Sequence, residues 1–307
     1  MNLQSSSGDF HPSPLPGANL LTFDIEDWYH INYPAVDFSL FDQQENHQEL
    51  LEHTRQLVGC CRQRGLRATF FVLGRLLEKK PEIGHCIIEG GQELGLHGYE
   101  HELLTDQTPD RFKTEMERSL KAFHQITGDF PLGFRAPSWS VDEKNFWILE
   151  ILESFGFAYD SSIFPLKNFL YGIAGAPMEP FYPVVRGRTL KLLEIPVTVF
   201  RLGSRRLAFS GGIYFNLWPF QAVRKMSEKQ NRLGQSTLFY FHPWDLWKRP
   251  RESRRRLKAH WTSLHLGTPL KKFRLLLEAF PLAGIGDRMD QLKATARSIP
   301  LGKSHEI

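Results

Sequence analysis

A chain of 307 residues, 41% hydrophobic and 23% charged, has enough apolar material to bury a core as one large domain or two smaller ones, and it reads as a soluble globular protein. Its 38 basic and 34 acidic side chains leave a net charge of +4, too weak overall to argue for a nucleic-acid partner. Three cysteines, two of them the adjacent Cys60 and Cys61 and the third Cys86, indicate neither a disulfide framework nor a cysteine-type zinc site.

Residues 1–17, MNLQSSSGDFHPSPLPG, lack a basic start followed by an apolar core, and no apolar run approaches the roughly 18 residues of a membrane span. They are expected to be a flexible leader on a cytoplasmic chain. The run NLLTFDI at 19–25 then predicts a strand, and Leu50, Thr54, Leu57, Val58 and Cys61 fall on one helical face before RATFFVLG, which is rich in β formers. The unit repeats. Pro81 to Gly91 predicts a short helix leading into ELGLHG; Phe112, Met116, Phe123 and Ile126 stripe a helix before PLGFRAP; Phe146, Leu149, Leu152 and Phe155 stripe another before FAYDSS. KLLEIPVTVF and TLFYFH read as two further strands, with a helix around 217–233 between them.

This repeated β-then-α order predicts a parallel sheet in an α/β fold. No GxGxxG or GxxxxGKS loop follows a strand, so a nucleotide-binding open sheet loses ground to a barrel related to the (β/α)8 type. Polar residues end the apolar runs: Asp24, His97, Arg135, Asp160 and His242. In a parallel β/α barrel such residues converge on the rim that carries the chemistry.

Three carboxylates, Asp24, Glu26 and Asp27, crowd the end of the first strand, an arrangement that repels itself unless a cation or a proton relieves it. In HGYEH, His97 and His101 are spaced by four, which suits two ligands on one cation if the chain turns helically there. With one carboxylate they make a two-histidine, one-carboxylate site with open positions for Zn²⁺ or another divalent metal. Taken singly, Arg135, Asp160 or His242 at a strand end is more often a hydrogen-bonded structural group than a catalyst. Further on, KRPRESRRRLK at 248–258 is either a solvated helix start or an attractor of anionic lipid headgroups, a diphosphate-linked sugar or nucleic acid, and TPLKKFRLLLEAF predicts a last amphipathic helix, packed on the barrel in preference to lying on a membrane surface. Residues 18–247 are thus expected to form the barrel and 248–307 a basic extension lying on it.

The ordered set TFDIED, HGYEH, RAPSWS, YDSSIFP and FHPW resembles the five motifs of the NodB-type polysaccharide deacetylases, the family 4 carbohydrate esterases, over about residues 20–245. DIEDWYH, GGIYFNLWPF, FYFHPWDL and the basic tail further resemble deacetylases from exopolysaccharide loci of exosortase-carrying bacteria. The resemblance implies a distorted (β/α) barrel of about seven strands and a metal-dependent hydrolase that removes N-acetyl groups from a sugar in exopolysaccharide synthesis. It also implies Asp24 as the base and His97 and His101 as metal ligands. Arg135 would orient the base, His242 would be the general acid, and Asp160 would be the partner of that histidine.

The family's common first motif has two adjacent aspartates, whereas Ile25 follows Asp24 here. Because residues i and i+2 of an extended chain point to one side, Glu26 is the first choice for the carboxylate ligand and Asp27 the second. Pro137, Ser138, Trp139 and Tyr240 correspond to substrate-contacting positions, with Ser138 ahead of the aromatic Trp139 and Tyr240 where a leucine is usual. The implied metal is Zn²⁺, with Co²⁺, Ni²⁺ or Mn²⁺ as alternatives. The implied partner is an N-acetylated carbohydrate, met in the cytoplasm or at the inner membrane on a lipid-linked or growing chain. Other readings of the same residues are a hydrolase of a lipid-linked formamido sugar or of a non-sugar amide, and a carbohydrate-binding barrel without turnover.

Overall fold

The computed structural model describes residues 19–27, 30, 48–168, 170–247 and 268–302. The leader 1–17, Trp28, Tyr29 and the basic run 248–258 lie outside the described residues.

The strands in chain order begin with β1 (Asn19–Ile25), β2 (Thr69–Val72), β3 (Glu93–Leu96), β4 (Gly133–Phe134) and β5 (Tyr159–Asp160). After them come β6 (Phe181–Val185), β7 (Arg188–Thr189), β8 (Leu193–Glu194), β9 (Val199–Leu202) and β10 (Arg205–Ala208). The last are β11 (Leu238–Phe241), β12 (Leu282–Ala283) and β13 (Arg297–Pro300). β11, β1, β2, β3, β4, β5 and β8 lie side by side in that order, every neighbouring pair parallel. This is the expected α/β, barrel-like sheet, and its parallel part has the expected number of strands.

Strand alternation sorts the side chains into two layers. Leu20, Phe71, Tyr159, Leu193, Leu238 and Tyr240 form an inner cluster, so the interior is filled rather than open. Leu21, Phe23, Phe70, Val72, Phe134 and Phe239 instead join the core beneath the helices. The helix Gln48–Arg62 buries Leu50, Thr54, Leu57, Val58 and Cys61, the face its periodicity marks. The helix Pro109–Thr127 starts where Thr108 Oγ1 accepts from Arg111 N and stops at Gly128, whose φ of 71° ends the α conformation.

Two expectations need correction. KLLEIPVTVF is not one strand: Pro196 has no N–H for a ladder, and the run divides into β8 and, after four residues, β9, which pairs antiparallel with β10. The C-terminal residues do more than lie on the barrel, since β12 pairs with β1 and β13 with β6. At the strand starts Glu93 anchors this segment: its Oε2 accepts from Gly286 N at 2.8 Å and Thr69 Oγ1 at 2.6 Å, its Oε1 from Tyr159 Oη at 2.7 Å. Tyr159 reaches Glu93 across Gly133, where a Cβ would lie 1.9 Å from the tyrosine ring. No helix among the described residues is long and apolar enough to cross a membrane.

Candidate active site

The inward positions at the C-terminal ends of the strands hold the charge. Asp24 and Glu26 share the inner face of β1 and its extension, and His97, Arg135 and His242 each stand one residue past β3, β4 and β11. All five are at most 9% exposed. Asp24 Oδ1 accepts from Arg135 Nη1 at 2.7 Å. The guanidinium also donates to Thr22 Oγ1, to Ser161 Oγ and to Ser161 O, and sits 4.3 Å over the Phe71 ring. A buried arginine is tolerated when its donors are matched in this way.

His97 and His101 meet Glu26. Their ring nitrogens and a Glu26 oxygen lie within 4.8 Å of one another, and this trio is the metal-type cluster among the described residues. His97 Nε2 is 3.6 Å from Glu26 Oε2, and His101 Nε2 contacts the same oxygen. His97 Nδ1 lies 2.8 Å from Arg135 O, so it donates there and leaves its Nε2 lone pair toward the cluster, the usual support for a ligating imidazole. Glu26 Oε2 is buried, and the two imidazole nitrogens are what it faces. Two imidazole nitrogens and a carboxylate oxygen converging in a buried place are the donor set of a divalent cation of the zinc type. Burial would raise the Glu26 carboxyl, but His101, His242 and His97 outweigh it and hold the group well below the usual range.

Of the two carboxylates left open by the sequence, Glu26 is the one that stands with His97 and His101. Asp27, one residue on and half-exposed, is outside the cluster, and its N donates to His30 Nδ1 at 3.0 Å. The expected helical turn between His97 and His101 is absent. A loop with positive φ at Gly98 (75°) and His101 (60°) brings the second imidazole back. That loop is pinned from outside, because Gly74 N and Arg75 N donate to Gly98 O and Tyr99 O while Tyr99 Oη donates to Glu78 Oε2 at 2.6 Å.

Asp160 does not reach His242. Tyr159 points inward, so Asp160 points to the opposite face, where its Oδ1 accepts from Ser162 Oγ. The histidine's partner is Asp245, whose Oδ2 lies 2.7 Å from His242 Nδ1 and accepts from His242 N at 3.0 Å. Sequence reasoning missed this residue, although Pro243 followed by an acid at the third helical position is the signature of a capped helix start. His242 Nε2 faces Asp24 Oδ2 at 3.8 Å and Glu26 Oε1 at 3.6 Å. Burial disfavours its charged form, yet Asp245, Glu26 and Asp24 prevail and raise it to about 9.

Asp24, Glu26, His97, His101 and His242 line a cavity of about 70 Å³ together with Ser138, Trp139 and Tyr240. Pro137 is not on its wall: Ser138 (φ 50°) and Trp139 (φ 47°) turn left-handed into the cavity while the proline stays against Gly98. Trp139 packs edge-on against Tyr240 at 4.6 Å between ring centroids. Tyr171 and Tyr214, which the sequence did not single out, complete the aromatic side.

Residues 21–159 match the family model described as polysaccharide deacetylase, and residues 161–289 match a domain of unknown function, DUF3473. A peptidoglycan deacetylase-like protein of Gibberella zeae is 30% identical over 141 residues, 42% of this chain and 41% of that protein. The peptidoglycan deacetylase of Helicobacter pylori is 33% identical over 142 residues, 43% of this chain and 47% of that protein. The chain thus spans less than half the length of these relatives. A solved structure from Mycobacterium smegmatis, classed with the polysaccharide deacetylases, shares the fold with a TM-score of 0.59 at 20% identity, covering 92% of this chain and 94% of that one. An allantoinase, Puue, shares it at 0.57 and 13% identity, covering 94% and 96%. Residues 21–159, which carry Asp24, Glu26, His97, His101 and Arg135, are therefore a polysaccharide deacetylase domain of the NodB type.

Proposed function

We propose that the chain is a metal-dependent N-deacetylase of an N-acetylated sugar. The observation that carries this is the meeting, in one small cavity, of an arginine-held carboxylate, a carboxylate-held histidine and a two-histidine, one-carboxylate cluster. Carbohydrate binding alone would need none of the three. Glu26, His97 and His101 would hold the metal, and a divalent cation there supplies the Lewis acidity that activates water and polarises an acyl carbonyl.

The chain's own residues carry the protons. Asp24, with Oδ1 committed to Arg135, presents Oδ2 as the base that takes a proton from the attacking water. His242, held at Nδ1 by Asp245, donates the proton on Nε2 to the departing nitrogen as the amide C–N bond breaks, leaving acetate and a free amine. We assign the backbone N–H of Ser138, the residue after Pro137, to the developing oxyanion, and Trp139, Tyr171, Tyr214 and Tyr240 wall the acyl group and adjoining sugar. A cavity of about 70 Å³ supports an acetyl or formyl group inside it, with the sugar ring at its mouth.

Zn²⁺ is the metal we assign to this donor set. The resemblance to exopolysaccharide-locus deacetylases supports a substrate in surface-polysaccharide synthesis, and we place the reaction at the cytoplasmic face of the membrane on a lipid-linked or growing chain. The test is acetate and free amine released from N-acetylated oligosaccharides by zinc-reconstituted protein. Equal amounts of both, abolished by a chelator, are expected. Release of neither by protein shown to contain metal would overturn the substrate class.

A further inference from the structure

Asp160 is left without the role its place in the motif order implies. It is fully buried, and so is Glu194, its register partner on the neighbouring strand β8. Paired residues of adjacent strands point to the same face. The two carboxyl groups accordingly lie side by side on one face of the sheet. Their outer oxygens are accounted for: Asp160 Oδ1 accepts from Ser162 Oγ at 2.5 Å and Glu194 Oε1 from Ile163 N at 2.9 Å. Their remaining oxygens, Asp160 Oδ2 and Glu194 Oε2, are buried and receive no hydrogen from any donor among the described residues. Two bare carboxylates in that position would pay both desolvation and mutual repulsion, whereas one proton between them satisfies both oxygens.

The segment that this pair fixes touches the site twice. Ser161 Oγ accepts from Arg135 Nη2 at 3.0 Å, and Ser162 Oγ accepts from Ala136 N at 2.8 Å. We propose that Asp160 and Glu194 share one proton, and that this pair is a positioning element which sets Arg135 and Ala136 through Ser161 and Ser162.

Arg135, one residue past β4, is the charged side chain that acts on both groups and favours their ionised forms. Burial acts oppositely and more strongly, raising Asp160 to about 6 and Glu194 well above the usual carboxylate range. The folded protein therefore holds these protons more tightly than the unfolded chain. The resulting stability is complete below the ordinary carboxylate pKa of about 4 and is lost as pH rises through the folded values.

The shared proton does not depend on the proposed reaction; the positioning role does. Infrared spectra at pH 8 read the first without any substrate. A band from an un-ionised carboxyl is expected in the wild type and absent in Glu194→Gln, whose amide replaces the proton isosterically. The melting temperature of wild type relative to Glu194→Gln should fall between pH 5 and pH 8. No un-ionised carboxyl in the wild type, or a bound cation in its place, overturns the shared proton whether or not the protein deacetylates anything. For positioning, folded Glu194→Ala should lose about tenfold to a hundredfold in kcat with KM nearly unchanged, and Glu194→Gln should restore most of it. Equal kcat in Glu194→Ala and wild type, with activity itself established, overturns the positioning role alone.

Discussion

Asp24→Asn should lower turnover by roughly 10²- to 10⁴-fold, the range that general-base catalysis supplies. Asparagine keeps an oxygen where Asp24 Oδ1 accepts from Arg135 Nη1 at 2.7 Å, so the arginine retains a partner and the fold should survive. What it lacks is a basic oxygen at Oδ2, the atom 3.8 Å from His242 Nε2 and free of the arginine. Metal content should be unchanged, because Asp24 is outside the Glu26, His97 and His101 cluster. The check is kcat on an N-acetylated oligosaccharide beside elemental analysis of the same preparation. If Asp24→Asn kept more than about a tenth of wild-type turnover, the proton would have to go elsewhere, since such a loss is below what removal of a base entails.

Arg135→Met should give the largest loss of stability. The arginine is fully buried and bonded to Asp24, Thr22 and Ser161, and its removal leaves Asp24 enclosed without its hydrogen-bonded guanidinium partner. Breaking one side of a buried pair costs about 3–5 kcal/mol, which in a chain of this size corresponds to a fall in melting temperature on the order of 10 °C. The double variant Asp24→Leu with Arg135→Met removes both charges and should recover much of that loss, although it should have no activity. Thermal melts of the two single variants and the double variant measure this coupling. Additive losses would mean that the pair does not account for the cost.

The sequence revealed the inner face of the barrel better than its outer surroundings. Asp24, His97, Arg135 and His242 each end an apolar run, Glu26 stands two residues past Asp24, and the alternation of a strand carries all of them to one side. The same alternation explains the error at Asp160. FAYD ends on an acid as the other runs end on polar residues, but Tyr159 takes the inward position, and nothing local in the sequence shows which of two neighbours does so. Asp245 was missed because its role arises from a capped helix start three residues past the histidine rather than from a strand end. Glu194 was hidden inside KLLEIPVTVF, where an apolar run masks a two-residue strand cut short by Pro196. Tyr171 comes from a segment remote from the motifs and Tyr214 from within GGIYFNLWPF, where nothing local marks it out, so only the folded chain brings them to the cavity.

The metal cluster is the feature on which the proposed chemistry depends, and it can be measured without knowing the substrate. Elemental analysis of purified wild type, Glu26→Ala, His97→Ala and Asp27→Ala should find about one zinc or other divalent ion per wild-type chain, a sharp loss in Glu26→Ala and His97→Ala, and retention in Asp27→Ala. A wild type that holds no metal even after reconstitution, or a Glu26→Ala variant that keeps it while Asp27→Ala does not, would contradict the site.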